Sequence, residues 1–379
     1  MISSLQSILK RPLIQTGKPT ATWREILFKT GYAGLFLSTS GLVFAIFMRV
    51  SRFNGYRRVL VLEMINGQAY KPFVYRTLLP SLVRLIGGIV PDSAGAAYNA
   101  WLNVQPGVPR VVRILGWEPD HLVEYTILSI LIFLSLVGFA FSMRYLFGAL
   151  FRASSKVQAI IPLAAMLALP PFFNYTYLYD FSALFFFTLG LAYLAHRRWR
   201  AFLIVYLLGC LNKETIVLLT LIFVIHYSHP GRISRSRFWR LLLYQASIFL
   251  SVKAVLTLLF SSNPGSFVEI HFWDHNLPLL YGLLKPYSLS FLFLAFLVIG
   301  LFFYQWQVQP KFLRDSIWIL LPLVGLTLAL GFLDELRDYY EAYPVVFLLL
   351  FHNIGKIMNV SIQPIHEFGG SPPVEPCES

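Results

Sequence analysis

Residues 196–240 read HRRWRAFLIVYLLGCLNKETIVLLTLIFVIHYSHPGRISRSRFWR, two basic knots enclosing an apolar run that is broken once, at Asn212-Lys213-Glu214. The knots, His196 to Arg200 and Arg232 to Arg240, carry the Lys/Arg signature of the cytoplasmic face of a membrane. If both lie on that face, the run between them must enter the membrane and return. Each arm then holds about eleven to fifteen residues, roughly 16–22 Å of helix, which is short of the ~30 Å hydrocarbon core. The tip would sit at membrane depth in a dent lined by protein and water, because polar backbone there must be satisfied by one or the other. The alternative is one long span, with Lys213 and Glu214 paired midway and one knot on the far side.

Working outward, the whole chain favours lipid as its solvent. Its 379 residues are 57% hydrophobic and 13% charged, a balance that a water-soluble domain of this size would rarely tolerate. Lys and Arg outnumber Asp and Glu by 31 to 18, and cytoplasmic loops facing anionic lipid account for that excess without nucleic acid. Cys210, inside an apolar run, and Cys377, in the tail, suggest neither a disulfide framework nor a zinc site. The first apolar stretch begins about thirty residues in and lacks a small-residue cleavage site, so it is expected to stay as an anchor.

The hydropathy pattern predicts an all-α polytopic membrane helix bundle with about ten membrane segments and a large first exterior loop. Residues 1–30 form a basic, amphipathic cytoplasmic segment, 31–358 the transmembrane domain, and 359–379, rich in Pro and Gly, a disordered tail. Spans are expected near 31–48, 122–141, 159–170 and 179–195, then the interrupted 201–229 run, then 240–260, 287–304, 317–332 and a short one ending near Lys356. The loop 49–121 holds short amphipathic stretches but no full-length span, as a segment lying on the membrane surface would. Basic loops at 144–156 and 311–314 complete a positive-inside pattern with both termini cytoplasmic, in a multi-pass protein of bacterial inner-membrane type. No convincing internal repeat is present.

Under this topology the acids collect on the exterior face, and charges at membrane depth are functional candidates because they are expensive to keep there. Asp180, Lys213 and Glu214 are the foremost; a structural ion pair locking the hairpin is the competing account of Lys213 with Glu214. The first exterior loop runs Leu62-Glu63-Met64-Ile65-Asn66-Gly67-Gln68-Ala69-Tyr70-Lys71-Pro72-Phe73-Val74-Tyr75-Arg76. An acid, then Gly, then Tyr-Arg and Pro in a large loop directly after the first span resembles the GT-C superfamily of polytopic membrane glycosyltransferases, which use polyprenyl-phosphate-linked sugars. The resemblance is one of layout and scattered residues, and no Asp-x-Asp or Asp-Glu pair follows the first span.

The resemblance implies a sugar donor on a polyprenyl phosphate, with membrane lipid as the surrounding partner. It implies Glu63 as general base toward an acceptor hydroxyl, a structural Glu63 solvated on an interfacial helix being the alternative; Glu214 and Asp180, singled out by membrane depth, are the other catalytic candidates. Lys71, Arg76 and Arg337 would neutralise the lipid phosphate, and Tyr75, Asn212 and Lys213 complete the substrate-binding set. Glu269-Ile270-His271-Phe272-Trp273-Asp274-His275 has histidines at i and i+4 between carboxylates, a spacing open either to a divalent ion or to plain interfacial anchoring by Phe272 and Trp273. The run 334–341 reads as solvated charge apart from Arg337. Three functions remain in play: a glycosyltransferase on the non-cytoplasmic face, a transporter or flippase for a lipid-linked or anionic substrate, and a non-catalytic assembly subunit.

Overall fold

A computed structural model describes residues 23–51, 54, 56–173, 176–283 and 289–365. The basic residues Lys10, Arg11 and Lys18, Asn174-Tyr175 and residues 366–379 with Cys377 lie outside the described residues, whereas the start of the expected disordered tail, 359–365, is described and holds a strand, ordered by pairing with residues 151–153. The chain divides into two compact units, residues 1–39 and 40–379. The first contributes the beginning of helix α1, Trp23–Ser51, where Leu35 and Leu37 are exposed. The packing and the site described below lie in the second.

The described chain is overwhelmingly helical. After α1 come the short helices expected in the first loop: α2 (Val61–Asn66), α3 (Leu78–Gly87), α4 (Asp92–Asn103) and α5 (Val108–Leu115). Then follow α6 (Leu122–Leu150), α7 (Ser155–Leu167), α8 (Asp180–Ala195), α9 (Trp199–Asn212), α10 (Leu218–Tyr227) and α11 (Arg235–Leu259). The last third contains α12 (Leu277–Leu283), α13 (Leu289–Phe303), α14 (Lys311–Ser316), α15 (Leu320–Leu330) and α16 (Tyr343–Ile357). Strands β1 (Phe151–Ala153) and β2 (Ile362–Pro364) form one small antiparallel pair, with Arg152 opposite Gln363.

Among the described residues, five helical stretches are long and apolar enough to cross a membrane: 29–51, 119–150, 155–172, 235–259 and 311–330. This is a membrane protein by that criterion, and several further apolar helices, α8, α9 and α16 among them, stop short of spanning length. Several hydroxyls inside the long helices are satisfied locally: Ser135, Ser142 and Ser316 each donate to the carbonyl four residues earlier, at 2.8, 2.8 and 2.7 Å, whereas the Ser129 and Tyr145 hydroxyls of α6 are buried without a hydrogen-bond partner among the described residues.

The core forms where α6 packs on α7 and α8, and α8 in turn on α9. Tyr125, Leu128, Ile132, Leu136, Phe139, Met143 and Leu146 bury one stripe of α6 at three- and four-residue intervals, the spacing of one helical face. The opposite face keeps Ile130, Leu134 and Phe141 exposed, as a lipid-facing surface would.

The interrupted run doubles back. Trp199 at the start of α9 lies against Tyr227 at the end of α10, ring centroids 5.1 Å apart, and the Thr220 and Tyr206 hydroxyls meet at 2.9 Å nearer the tip. At the turn itself Gly209 faces Ile216, and a Cβ on Gly209 would stand 2.6 Å from the Ile216 side chain, so the two arms close only over glycine. Each arm, 14 residues in α9 and 14 from Glu214 to Tyr227, reaches about 21 Å, short of the ~30 Å core. The basic knots share one end: the Tyr227 hydroxyl donates to Leu194 O at 2.7 Å, and Phe238 stacks on Phe223 at 5.2 Å.

Candidate functional site

Four stretches far apart in sequence converge on the hairpin tip: the Phe73–Tyr75 turn with Arg76, the residues 176–180 that lead into α8, the tip 212–215, and the run 335–341. Asn212 fastens the tip to α8. Its side chain accepts from Ser182 Oγ at 2.6 Å and donates to Tyr179 O at 3.3 Å, so both ends of the amide are committed to structure.

Lys213 and Glu214 do not pair with each other. Lys213 has an extended backbone (φ −158°, ψ 135°), which sends consecutive side chains to opposite sides. Lys213 Nζ lies 3.0 Å from Glu341 Oε1, an oxygen that also accepts from Thr215. Glu214 Oε2 turns the other way, 3.7 Å from Arg76 Nε. The mutual pair considered from sequence is thus replaced by two pairs reaching different parts of the chain.

Arg76 donates to the Tyr179 hydroxyl, and its guanidinium lies over the Tyr179 ring at 4.3 Å and the Phe73 ring at 5.3 Å. Thr77, next along, donates to Leu211 O at 3.5 Å and ties the first loop to the end of α9. Asp180 is buried at the first position of α8, where a carboxylate suits the helix dipole, and accepts from Tyr177 N at 2.7 Å. The cations that face it are Arg337, Lys213 and Arg76.

The run 334–341 differs from its expected solvated state. Glu335, Arg337 and Glu341 are buried, because each finds an opposite charge inside the fold. Arg337 binds Glu335, lies 3.9 Å from Asp338 and stacks over the Tyr177 ring at 4.2 Å. Burial works against its charge, yet Asp338, Asp180 and Glu335 together hold its guanidinium above the ordinary arginine value. Burial also pushes Glu335 above the usual glutamate value, against the pull of Arg337.

Lys71 is built into a strap. Its amide donates to Pro264 O at 2.8 Å and its Nζ to Ser261 O at 3.1 Å, while Asn263 Nδ2 donates to Gly67 O and Ala69 O at 2.9 and 3.0 Å. Gly265 allows this crossing: it has φ +96°, and a Cβ there would stand 2.6 Å from Lys71 O. Gly265→Ala is therefore expected to destabilise the protein by about 1–3 kcal/mol, seen as a lower melting temperature in detergent, through backbone strain and this clash.

No family model, curated protein or solved structure matches the chain. The site therefore rests on its own geometry. Arg76, Asp180, Asn212, Lys213, Glu214 and Arg337 come together as one charged, aromatic-walled cluster, with Tyr75 beside it. Glu63 stands apart from the Arg76–Glu214 pair. Its carbonyl accepts from Gln68 and Ala69 at 2.7 and 3.1 Å, and its carboxylate has one buried oxygen without a partner. In the 269–275 run, His271 lies 3.2 Å from Asp274 and 3.6 Å from Glu269, whereas His275 turns to Asp334 at 2.8 Å. Among the described residues no group of three or more His, Cys, Asp or Glu could hold a metal ion.

Sequence reading missed Lys253, Glu341 and the Tyr177–Tyr179 aromatic wall. Lys253 carried a usable signal, a single charge in the last turns of a 25-residue apolar helix. Two small pockets flank the tip. One, about 170 Å³, lies between α8 and the tip beside Lys213 and Glu341; the other, about 260 Å³ and partly open, lies between α9 and α11 beside Glu214, Tyr75 and Lys253.

Proposed function

We propose that this chain is a membrane-embedded glycosyltransferase of the GT-C kind, moving a sugar from a polyprenyl phosphate to an acceptor on the non-cytoplasmic face. In this reading about ten membrane segments place both termini and both basic knots in the cytoplasm of a bacterial cell, and the hairpin tip opens to the other side. The observation that carries it is the meeting of Arg76, from the first loop, with Glu214, on the tip of a hairpin too short to cross the membrane. An acid held beside an arginine at membrane depth is costly to maintain without a task.

Glu214 is the base in this scheme, because its carboxylate reaches a pocket, whereas Asp180 is enclosed and Glu63 has no contact with Arg76. It takes the proton of the acceptor hydroxyl as that oxygen bonds to the anomeric carbon, and the bond from that carbon to the phosphate oxygen breaks, leaving polyprenyl phosphate. Arg76 keeps Glu214 ionised and stabilises negative charge developing nearby.

Close packing favours a second reading, a non-catalytic subunit in which these pairs only join helices. Both pockets are narrow, well short of an ordinary ligand site. The test reconstitutes the full chain in vesicles with a panel of polyprenyl-phosphate hexoses and pentoses and measures release of free polyprenyl phosphate. Release above protein-free vesicles, reduced roughly 100-fold in Arg76→Gln, is expected. Release no greater than in empty vesicles across the panel would leave the structural reading.

A further inference from the structure

Most cations at the tip are answered by acids: Arg76 by Glu214, Lys213 by Glu341, Arg337 by Glu335 and Asp338. Lys253 is different. Its ammonium turns inward from α11 to lie over the Tyr75 ring at 4.5 Å, and among the described residues it has no carboxylate within ion-pair distance. Tyr75 is 3% exposed, and its hydroxyl has no hydrogen-bond partner. Both side chains line the pocket between α9 and α11, together with Glu214.

A buried phenol without a partner is expensive, and so is an ammonium in an apolar helix that stacks on a ring and feels Glu214 only from beyond ion-pair distance. Both requirements are met by one acceptor carrying negative charge. The acids nearest the pocket are engaged elsewhere: Glu214 pairs with Arg76 and Glu341 with Lys213, so neither lies within ion-pair distance of Lys253. The wall is apolar, from Phe249, Val252 and Leu256 of α11, and the same helix exposes Leu250, Val255, Leu258 and Leu259 as a lipid-facing surface would. A free inorganic anion would leave that wall unused.

We propose that this pocket seats the phosphate head of a membrane lipid, its oxygen received by the Lys253 ammonium and the Tyr75 hydroxyl, with the first carbons of its chain lying along α11. This places the anion at Lys253 and Tyr75 and not at Lys71, Arg76 or Arg337, each of which already has a partner within the protein. Burial, and Glu214 after it, push the Tyr75 phenol above the ordinary tyrosine value, so the hydroxyl stays protonated and able to donate. Which phosphate lipid fills the seat rests on the glycosyl-transfer reading; the seat itself does not.

The experiment measures the shift in melting temperature of the full chain in neutral detergent on adding dodecyl phosphate, with dodecanol as the uncharged control. Wild type should be stabilised by dodecyl phosphate and not by dodecanol. Apparent affinity should fall at least roughly tenfold in Lys253→Met and measurably in Tyr75→Phe, while Lys253→Arg retains most of it. Because the ligand-induced shift is compared within each variant, a lower starting stability does not obscure the result. Equal shifts in wild type, Lys253→Met and Tyr75→Phe, or an equal shift with dodecanol, would overturn the seat. Mass spectrometry of protein from nanodiscs holding equal polyprenyl phosphate and phosphatidylglycerol separates the two sources. Lys253-dependent retention of polyprenyl phosphate supports the seat and its place in glycosyl transfer; Lys253-dependent retention of phosphatidylglycerol upholds the seat and counts against that transfer reading.

Discussion

Glu214→Gln is expected to abolish sugar transfer while leaving the hairpin folded. Glutamine keeps the size and polarity of the side chain and removes its capacity to take a proton, so the change addresses chemistry more than packing. The Glu214 side chain is a third exposed and its ion pair with Arg76 is open at 3.7 Å, so the lost charge should lower stability by no more than about 1 kcal/mol. Loss of a positioned base reduces turnover by about 10²–10⁴-fold. The paired readout is polyprenyl-phosphate release in vesicles and melting temperature in detergent. Wild-type release with a clearly lowered melting temperature would make Glu214 a structural partner of Arg76 and take the base out of the proposal.

The hairpin was legible from residues 196–240 because it depends on quantities that local sequence contains: two basic knots, the length between them, and a break too polar to lie in lipid unaided. Short helices in the first loop were legible for a similar reason, since 49–121 offers amphipathic stretches but no apolar run of spanning length. The number of helices of full spanning length was less so. Hydropathy recognised α8 and α16 as membrane-compatible, but at 16 and 15 residues neither reaches a full crossing unaided.

Partnerships were the hidden part. Lys213 and Glu214 adjoin in sequence and therefore invite pairing, yet one extended residue sends them to Glu341 and Arg76. That backbone angle leaves no mark in composition. Glu341 was hidden because a carboxylate in a run of Asp, Glu and Tyr looks solvated until a buried lysine is found facing it. Local pattern reports what a segment can be; the identity of a buried charge's partner depends on contacts made after packing, and those belong to the fold.

The Lys213–Glu341 pair gives the sharpest test of how structure and chemistry are divided here. Glu341→Leu is expected to destabilise the protein by about 3–5 kcal/mol, because it removes the ion-pair partner of the Lys213 ammonium in a site where the two side chains are 10% and 2% exposed. Lys213→Met should be less harmful, because Glu341 can escape its burial by taking up a proton and still accept from Thr215. The double variant Lys213→Met/Glu341→Leu should recover most of the loss, with a coupling of about 2–3 kcal/mol of opposite sign, since two apolar groups need no partner. Denaturant titration in detergent measures all three. Additive losses would mean that the pair is already screened by water in the neighbouring pocket, and the tip would then be an open chamber. Recovery of stability together with intact sugar transfer would make this pair the lock of the hairpin and confine the chemistry to its other side, where Glu214 faces Arg76.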